Sequence, residues 1–121
     1  MNMNTNPQSA VQGVYLRFFM HENRRHHGLL LYDWLLREAK KLGIAGGTAF
    51  RSIAGFGRHG VMHEARFLEL AGQETVRVDF VVTGDEADKL MQLVRDERLQ
   101  LFYAKLPTEF GVLDGEEPSG R

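Results

Sequence analysis

Gly46-Gly47-Thr48-Ala49-Phe50-Arg51-Ser52-Ile53-Ala54-Gly55-Phe56-Gly57-Arg58-His59 is the stretch on which the fold turns. Residues 48–54 suit a half-buried strand, and Gly55, Gly57 and Gly60 then permit the positive φ and close backbone approach of a hinge. A strand therefore launches a long connection. A second strand-like run, Val76 to Val82, follows a polar interval, so residues 55–75 read as a projecting loop with a short extended piece around Met62 to Leu70. Loops of that length in small domains are usually functional or disordered.

Outward from this stretch, the periods of apolar residues define the other elements. Val14 to Met20 alternates, with Val14, Leu16, Phe18 and Met20 on one face and Tyr15, Arg17 and Phe19 on the other, which predicts a first strand. Between Leu29 and Leu42 the period lengthens. Leu31, Leu35, Ala39 and Leu42 share one stripe opposite Asp33, Arg37, Lys40 and Lys41, the pattern of an amphipathic helix, and Gly43 ends it. Trp34 lies at the edge of that stripe, where partial exposure is expected. Val76 to Val82 alternates again. Thr83-Gly84-Asp85-Glu86 then has the Thr-x-x-Glu spacing of a capping box and opens a second helix, with Ala87, Leu90, Met91 and Val94 as its buried stripe. Leu101 to Leu106 supplies the last strand. The order is β-α-β-β-α-β, an α+β ferredoxin-like fold in which two helices cover one face of an antiparallel sheet.

That architecture leaves the second sheet face bare. Its expected residues are Tyr15, Phe19, Ile53 and Val81 beside Arg17, Arg51, Arg77 and Asp79, too apolar for a purely solvated surface and too charged for the core of a monomer. A half-wet face with scattered aromatics is the plain account. Packing of sheet on sheet in an oligomer covers it better and lets Arg pair with Asp79, because a charge buried alone is costly.

Composition sets the outer bounds. At 121 residues the chain is one domain with one core, about residues 13–113, flanked by polar tails at 1–12 and 114–121 that are expected to be disordered. No run approaches the roughly 20 apolar residues needed to cross a bilayer, and the first residues lack the pattern of a signal peptide, so a soluble cytoplasmic protein is expected, with no membrane insertion. The absence of cysteine excludes disulfides, thiolate metal sites and a cysteine nucleophile. With 15 basic and 16 acidic side chains there is no global pull toward nucleic acid.

In this order of elements, His21-Glu22-Asn23-Arg24, Gly43-Ile44-Ala45-Gly46-Gly47-Thr48 and Arg51-Ser52-Ile53-Ala54-Gly55-Phe56-Gly57 closely resemble the PII-like signalling proteins, in the branch known as domain of unknown function 190. The likeness spans roughly Val14 to Leu106. Gly55-Phe56-Gly57-Arg58 looks like the start of the T-loop of true PII proteins, in the same place after the second strand. The resemblance implies a homotrimer, clefts between subunits that in PII proteins bind adenine nucleotides, and a loop, residues 57–72 here, that docks on a protein target. A membrane transporter or an enzyme is the implied target. Three departures stand out. His59 replaces the Gln that follows Gly-Phe-Gly-Arg in true PII proteins, the loop from His59 to Thr75 contains no Tyr to modify, and Arg95 to Gln100 lacks the glycine- and lysine-containing loop before the last strand.

The binding residues read from the chain are basic side chains and hinge amides. Arg24, Arg25, Arg51, Arg58 and Arg66 gather in the first connection, the second strand and the projecting loop, where guanidinium groups can fork onto phosphate or carboxylate. The candidate site is Arg24, Arg51, Gly55, Phe56, Gly57, Arg58 and His59, with Arg58 of one subunit facing Arg24 or Lys105 of another; the ligand is an adenine nucleotide or another small anion, and no fixed cofactor is indicated. The plainer account makes Arg24 and Arg25 solvated charges and Arg51 a member of a structural ion pair. The competing class is a divalent-metal module between subunits, built from His21, His26, His27, His59 and His63, although solvated loop histidines account for that spacing more simply. A ligand-free structural trimer is the third. Catalysis has the least support: Ser52 has no Gly-x-Ser-x-Gly setting, and the glycines form neither a Walker loop nor a dinucleotide fingerprint.

Overall fold

The computed structural model of the chain describes residues 10–56 and 74–115. In chain order the elements are β1 (Val11–His21), β2 (Arg25–His26), β3 (Leu29–Leu30), α1 (Leu31–Lys41), β4 (Thr48–Arg51), β5 (Thr75–Val82), α2 (Gly84–Asp96) and β6 (Phe102–Phe110). The main sheet runs β4-β5-β1-β6, with every neighbouring pair antiparallel. Setting aside the small β2–β3 hairpin, this is the β-α-β-β-α-β order that the sequence predicts. No helix among the described residues is long and apolar enough to cross a membrane.

Alternation in the strands sorts the side chains. Leu16, Phe18 and Met20 of β1 face Val76, Val78, Phe80 and Val82 of β5, and together they meet Leu31, Trp34, Leu35 and Ala39 of α1 and Ala87, Leu90 and Val94 of α2 in one core. Phe18 and Phe80 pack edge to face with ring centroids 6.3 Å apart, a favoured aromatic geometry. Gly47 makes the entry to β4 possible: a Cβ there would lie 2.5 Å from the Phe80 ring and 3.0 Å from Leu36.

Both helices end in the same hydrogen-bond pattern. After α1, Gly43 at φ 90° donates to the Lys40 carbonyl at 3.0 Å, and Ile44 donates to Ala39 at 3.1 Å. After α2, Arg98 at φ 57° donates to Arg95 at 2.9 Å, and Leu99 donates to Val94 at 3.2 Å. These are Schellman closures, with glycine in the left-handed position of the first and arginine in that of the second. The start of α2 carries the predicted capping box: Thr83 Oγ1 accepts from Glu86 N at 3.1 Å, and Glu86 Oε1 accepts from Thr83 N at 2.9 Å.

Three expectations need correction. β4 stops at Arg51 and not at Ala54, because β5 begins at Thr75; after Ser52 N donates to Thr75 O at 2.9 Å, the described chain offers β4 no further partner. The register also pairs Arg51 with Val76 and Phe50 with Arg77, so Arg51 projects on the helix side of the sheet and Phe50 takes the helix-free side. Ile53, beyond the strand, belongs to neither. Small Ala49 fits against the core where Phe50 would not, which sets the face. Finally, Trp34 is only 5% exposed, since the β2–β3 hairpin folds over it and His26 meets its ring edge to face at 4.6 Å.

On the helix-free side, Asp79 is 5% exposed although no helix covers it. Tyr15 Oη donates to its Oδ2 at 2.8 Å, Arg77 Nε donates to its Oδ1 at 2.8 Å, and Arg17 Nε lies 3.9 Å from Oδ2. Arg17 in turn lies over the Tyr15 ring and Arg77 over the Phe50 ring, at 4.9 and 4.7 Å from the centroids. The Arg to Asp79 pairing expected from sheet-on-sheet packing is thus already made inside one chain. Around it, Phe50, Val81, Phe102 and Leu106 are large apolar side chains left half exposed, with Phe19 and Phe102 in ring contact at 5.4 Å.

Candidate functional site

β1 and β4 run in the same direction through the intervening β5, so His21 and Arg51 finish at one end of the sheet, where the chain leaves the described region at Phe56 and re-enters it at Glu74. Glu22 lies there, its backbone N–H held by the Glu74 carbonyl at 2.8 Å. Its carboxylate accepts from Arg51 Nε at 2.9 Å and also from Nη2 of the same guanidinium. This hydrogen-bonded pairing raises the Arg51 pKa further above its already high value. Arg24 is anchored separately, with Nη1 donating to the Gln100 carbonyl at 3.0 Å.

Of the predicted binding residues, Arg24 and Arg51 therefore share one end of the molecule, and each guanidinium already has an acceptor. Gly55 and Phe56 follow β4 at this end, with Phe56 exposed. Lys105 does not join them within a chain: it lies opposite Leu16 on β6, which is the far edge of the sheet from β4. Three strand spacings put those edges about 14 Å apart. Gly57, Arg58 and His59 lie outside the described residues, as do the rest of the projecting loop with Gly60, His63 and Arg66, its expected extended piece, and most of both expected tails.

A second constellation stands near the same end, at the junction of the β2–β3 hairpin with the end of α2. His26 Nε2 and His27 Nε2 both lie 2.9 Å from Glu97 Oε1, and the two imidazole centroids are 4.2 Å apart. Adjacent strand residues point to opposite sides. Here His27 at φ 51° and Gly28 at φ 80° form the two-residue turn of the hairpin, and the turn swings the second imidazole round beside the first. The two hydrogen bonds from His26 and His27 hold the Glu97 carboxyl below its usual pKa. His26 is thus not the solvated loop side chain expected of it. Neither Glu22 nor Glu97 is identified by spacing in the sequence; His27-Gly28, at the midpoint of Arg25 to Leu30, is the one local signal for the hairpin that presents the histidines.

Residues 13–99 match the family model DUF190, described as "Uncharacterized ACR". A UPF0166 protein of Aquifex aeolicus (strain VF5) is 31% identical over 87 residues, which are 72% of this chain and 80% of that one. The chain belongs to the DUF190 family. Among solved structures, the DUF190 chain is similar to a Thermus thermophilus protein assigned to PII-like signalling, with TM-score 0.58 and 18% identity over 85% of this chain and 92% of that one. It is also similar to CPII of Thiomonas intermedia K12, a nitrogen regulatory PII-like protein seen bound to ADP, AMP and bicarbonate, with TM-score 0.57 and 14% identity over 87% of this chain and 99% of the other. At these identities the likeness is one of fold: the DUF190 chain has the ferredoxin-like fold of these PII-like proteins.

Proposed function

We propose that the protein is a non-enzymatic PII-like regulator that binds an adenine nucleotide or another small anion in clefts between the subunits of a homotrimer, and that residues 57–72 pass the bound state on to a protein partner, a membrane transporter or an enzyme. The observation that carries this reading is the gathering of Arg24 and Arg51 at the sheet end from which the Gly55-Phe56-Gly57-Arg58 segment departs, on a fold that in CPII holds ADP, AMP and bicarbonate. The half-apolar helix-free face supports self-association, since Phe50, Val81, Phe102 and Leu106 gain burial only against another surface. Assembly would also bring a β6 edge with Lys105 within reach of a neighbour's β4 edge.

Arg58 and the hinge amides are the groups proposed to meet the anion, because Arg51 is engaged by Glu22 and Arg24 by Gln100. Calorimetry with ADP, AMP, ATP and bicarbonate tests the assignment. Arg58→Ala is expected to remove a charge-assisted contact of roughly 1.5 to 3 kcal/mol, a ten- to hundred-fold loss of affinity, with His59→Ala losing less. Wild-type affinity in both variants would place the anion elsewhere. No heat and no thermal shift with any of the four ligands would overturn the ligand class itself, since a compound that binds only the folded chain must stabilise it.

A further inference from the structure

Two local features, at the end of α2 and in the hairpin beside it, go against the preference of the residues that carry them. His27 holds a left-handed backbone, which costs a side-chain-bearing residue on the order of 1–2 kcal/mol. Within 2.9 Å of its Nε2, Glu97 places a carboxylate at the C-terminal cap of α2, where the helix dipole favours a cation. Unfavourable choices that converge on one cluster are the mark of a site more than of a scaffold. What the cluster gains is two imidazole nitrogens gathered about one carboxylate oxygen.

We propose that His26, His27 and Glu97 of a single chain form a binding site for a divalent transition-metal ion of the zinc, cobalt and nickel class. The ligating atoms of the three residues lie within 4.8 Å of one another. A tetrahedral ion with ligand bonds of about 2.0–2.1 Å needs its ligand atoms about 3.3 Å apart, so the two contacts to Glu97 Oε1 need open only slightly from their present 2.9 Å. Two nitrogens with one carboxylate suit these borderline ions and not magnesium or calcium, which take oxygen cages. Access and support are divided among the residues. His27 is 61% exposed and Glu97 31%, leaving the ion an entry and a fourth position for water, while His26 is 17% exposed and braced edge to face on Trp34.

Because the three side chains are already assembled, binding spends little entropy on ordering them, and it locks the β2–β3 hairpin to the end of α2. In the ion-free state both imidazoles bond to the carboxylate through Nε2; the ion takes those nitrogens from neutral rings whose single proton sits on Nδ1, and so competes with protons for them. Affinity therefore falls in acid. The site lies within one chain and uses none of the residues assigned to the anion, so it stands or falls independently of the regulatory reading.

The sole tryptophan reports on it. The full chain is titrated with zinc, nickel and cobalt chlorides, with magnesium and calcium as controls, by calorimetry and by Trp34 fluorescence. One transition-metal ion per chain is expected, with quenching of Trp34 by cobalt and nickel, and no binding of magnesium or calcium. His27→Asn keeps the left-handed turn, which asparagine tolerates, and Glu97→Gln keeps the shape of the side chain. Each is expected to weaken binding at least ten-fold and to remove the quenching while the thermal melt shows a folded chain. His59→Ala with His63→Ala is expected to change neither. Absence of transition-metal binding in the wild-type chain, undiminished binding in both His27→Asn and Glu97→Gln, or loss of binding only in the His59, His63 double variant would each overturn the site.

Discussion

Arg98 occupies the position that Gly43 fills at the end of the other helix, with the same pair of backbone hydrogen bonds and a φ of 57°. The Schellman closure demands the conformation, and Leu99 packing against the core demands the closure, so the side chain is carried there against its own preference. Removing the Cβ relieves the left-handed strain but gives the unfolded chain more freedom to lose. The balance favours glycine. Arg98→Gly is expected to raise stability by about 0.5 to 1 kcal/mol, a few degrees in a thermal melt of a chain this size. A melting temperature equal to or below that of the wild-type chain would mean that the Arg98 side chain contributes contacts that outweigh its backbone. Asp79 is the opposite case, a buried charge fully employed by Tyr15 and Arg77 on its own sheet, so its removal acts on the fold of each chain before it acts on any assembly.

At the scale of elements, α2 depends on its first turn. The Thr83 and Glu86 capping box satisfies two backbone donors at once, and Thr83→Ala is expected to cost about 1 kcal/mol, measured as a lower urea midpoint with an unchanged slope. That cap was readable because Thr-x-x-Glu is a local pattern with one geometric meaning. The core faces of β1, β5 and both helices were readable for the same reason, each being a clear period of 2 or 3.6, except that Leu42, expected on the α1 stripe, lies past the end of the helix and is exposed. β4 was not. Thr48 to Ala54 has no charge alternation to choose a face, and its length and register are set by where β5 begins and by whether Ala49 or Phe50 fits beneath the helices, which are non-local facts. The β2–β3 hairpin escaped because two-residue strands carry no period, and His-Gly is a weaker turn signal than Asn-Gly. With the hairpin went the burial of Trp34 and the meeting of His26, His27 and Glu97, since only the folded chain brings residues 26 and 97 together. For the basic side chains, the element order alone puts Arg24 and Arg51 at one end of the sheet, but their partners, Gln100 and Glu22, are tertiary.

The whole molecule presents an asymmetry between its two sheet faces. One is sealed by α1 and α2 around a continuous core; the other carries a buried Asp79 network ringed by half-exposed Phe50, Val81, Phe102 and Leu106. A solvated face has no need to bury a carboxylate with three charged or aromatic neighbours, nor to line a sheet edge with aromatic rings. Satisfying Asp79 within the chain lowers the cost of covering that face, because the charge arrives at the interface already hydrogen bonded, and the apolar ring around it supplies the gain. Leu106 is the place to test this. It lies opposite Tyr15 on β6 and is half exposed, so Leu106→Asp should cost an isolated chain only about 1 kcal/mol and leave it folded. In an assembly the same change buries a carboxylate in the row of Leu106, Tyr15 and Val81, at the cost of desolvating it. Light scattering at micromolar concentration is expected to give three chain masses for the wild-type protein and one for Leu106→Asp, with the circular dichroism of the folded chain retained. A wild-type monomer would remove the basis for clefts between subunits, and a Leu106→Asp trimer would show that subunits associate through a different surface.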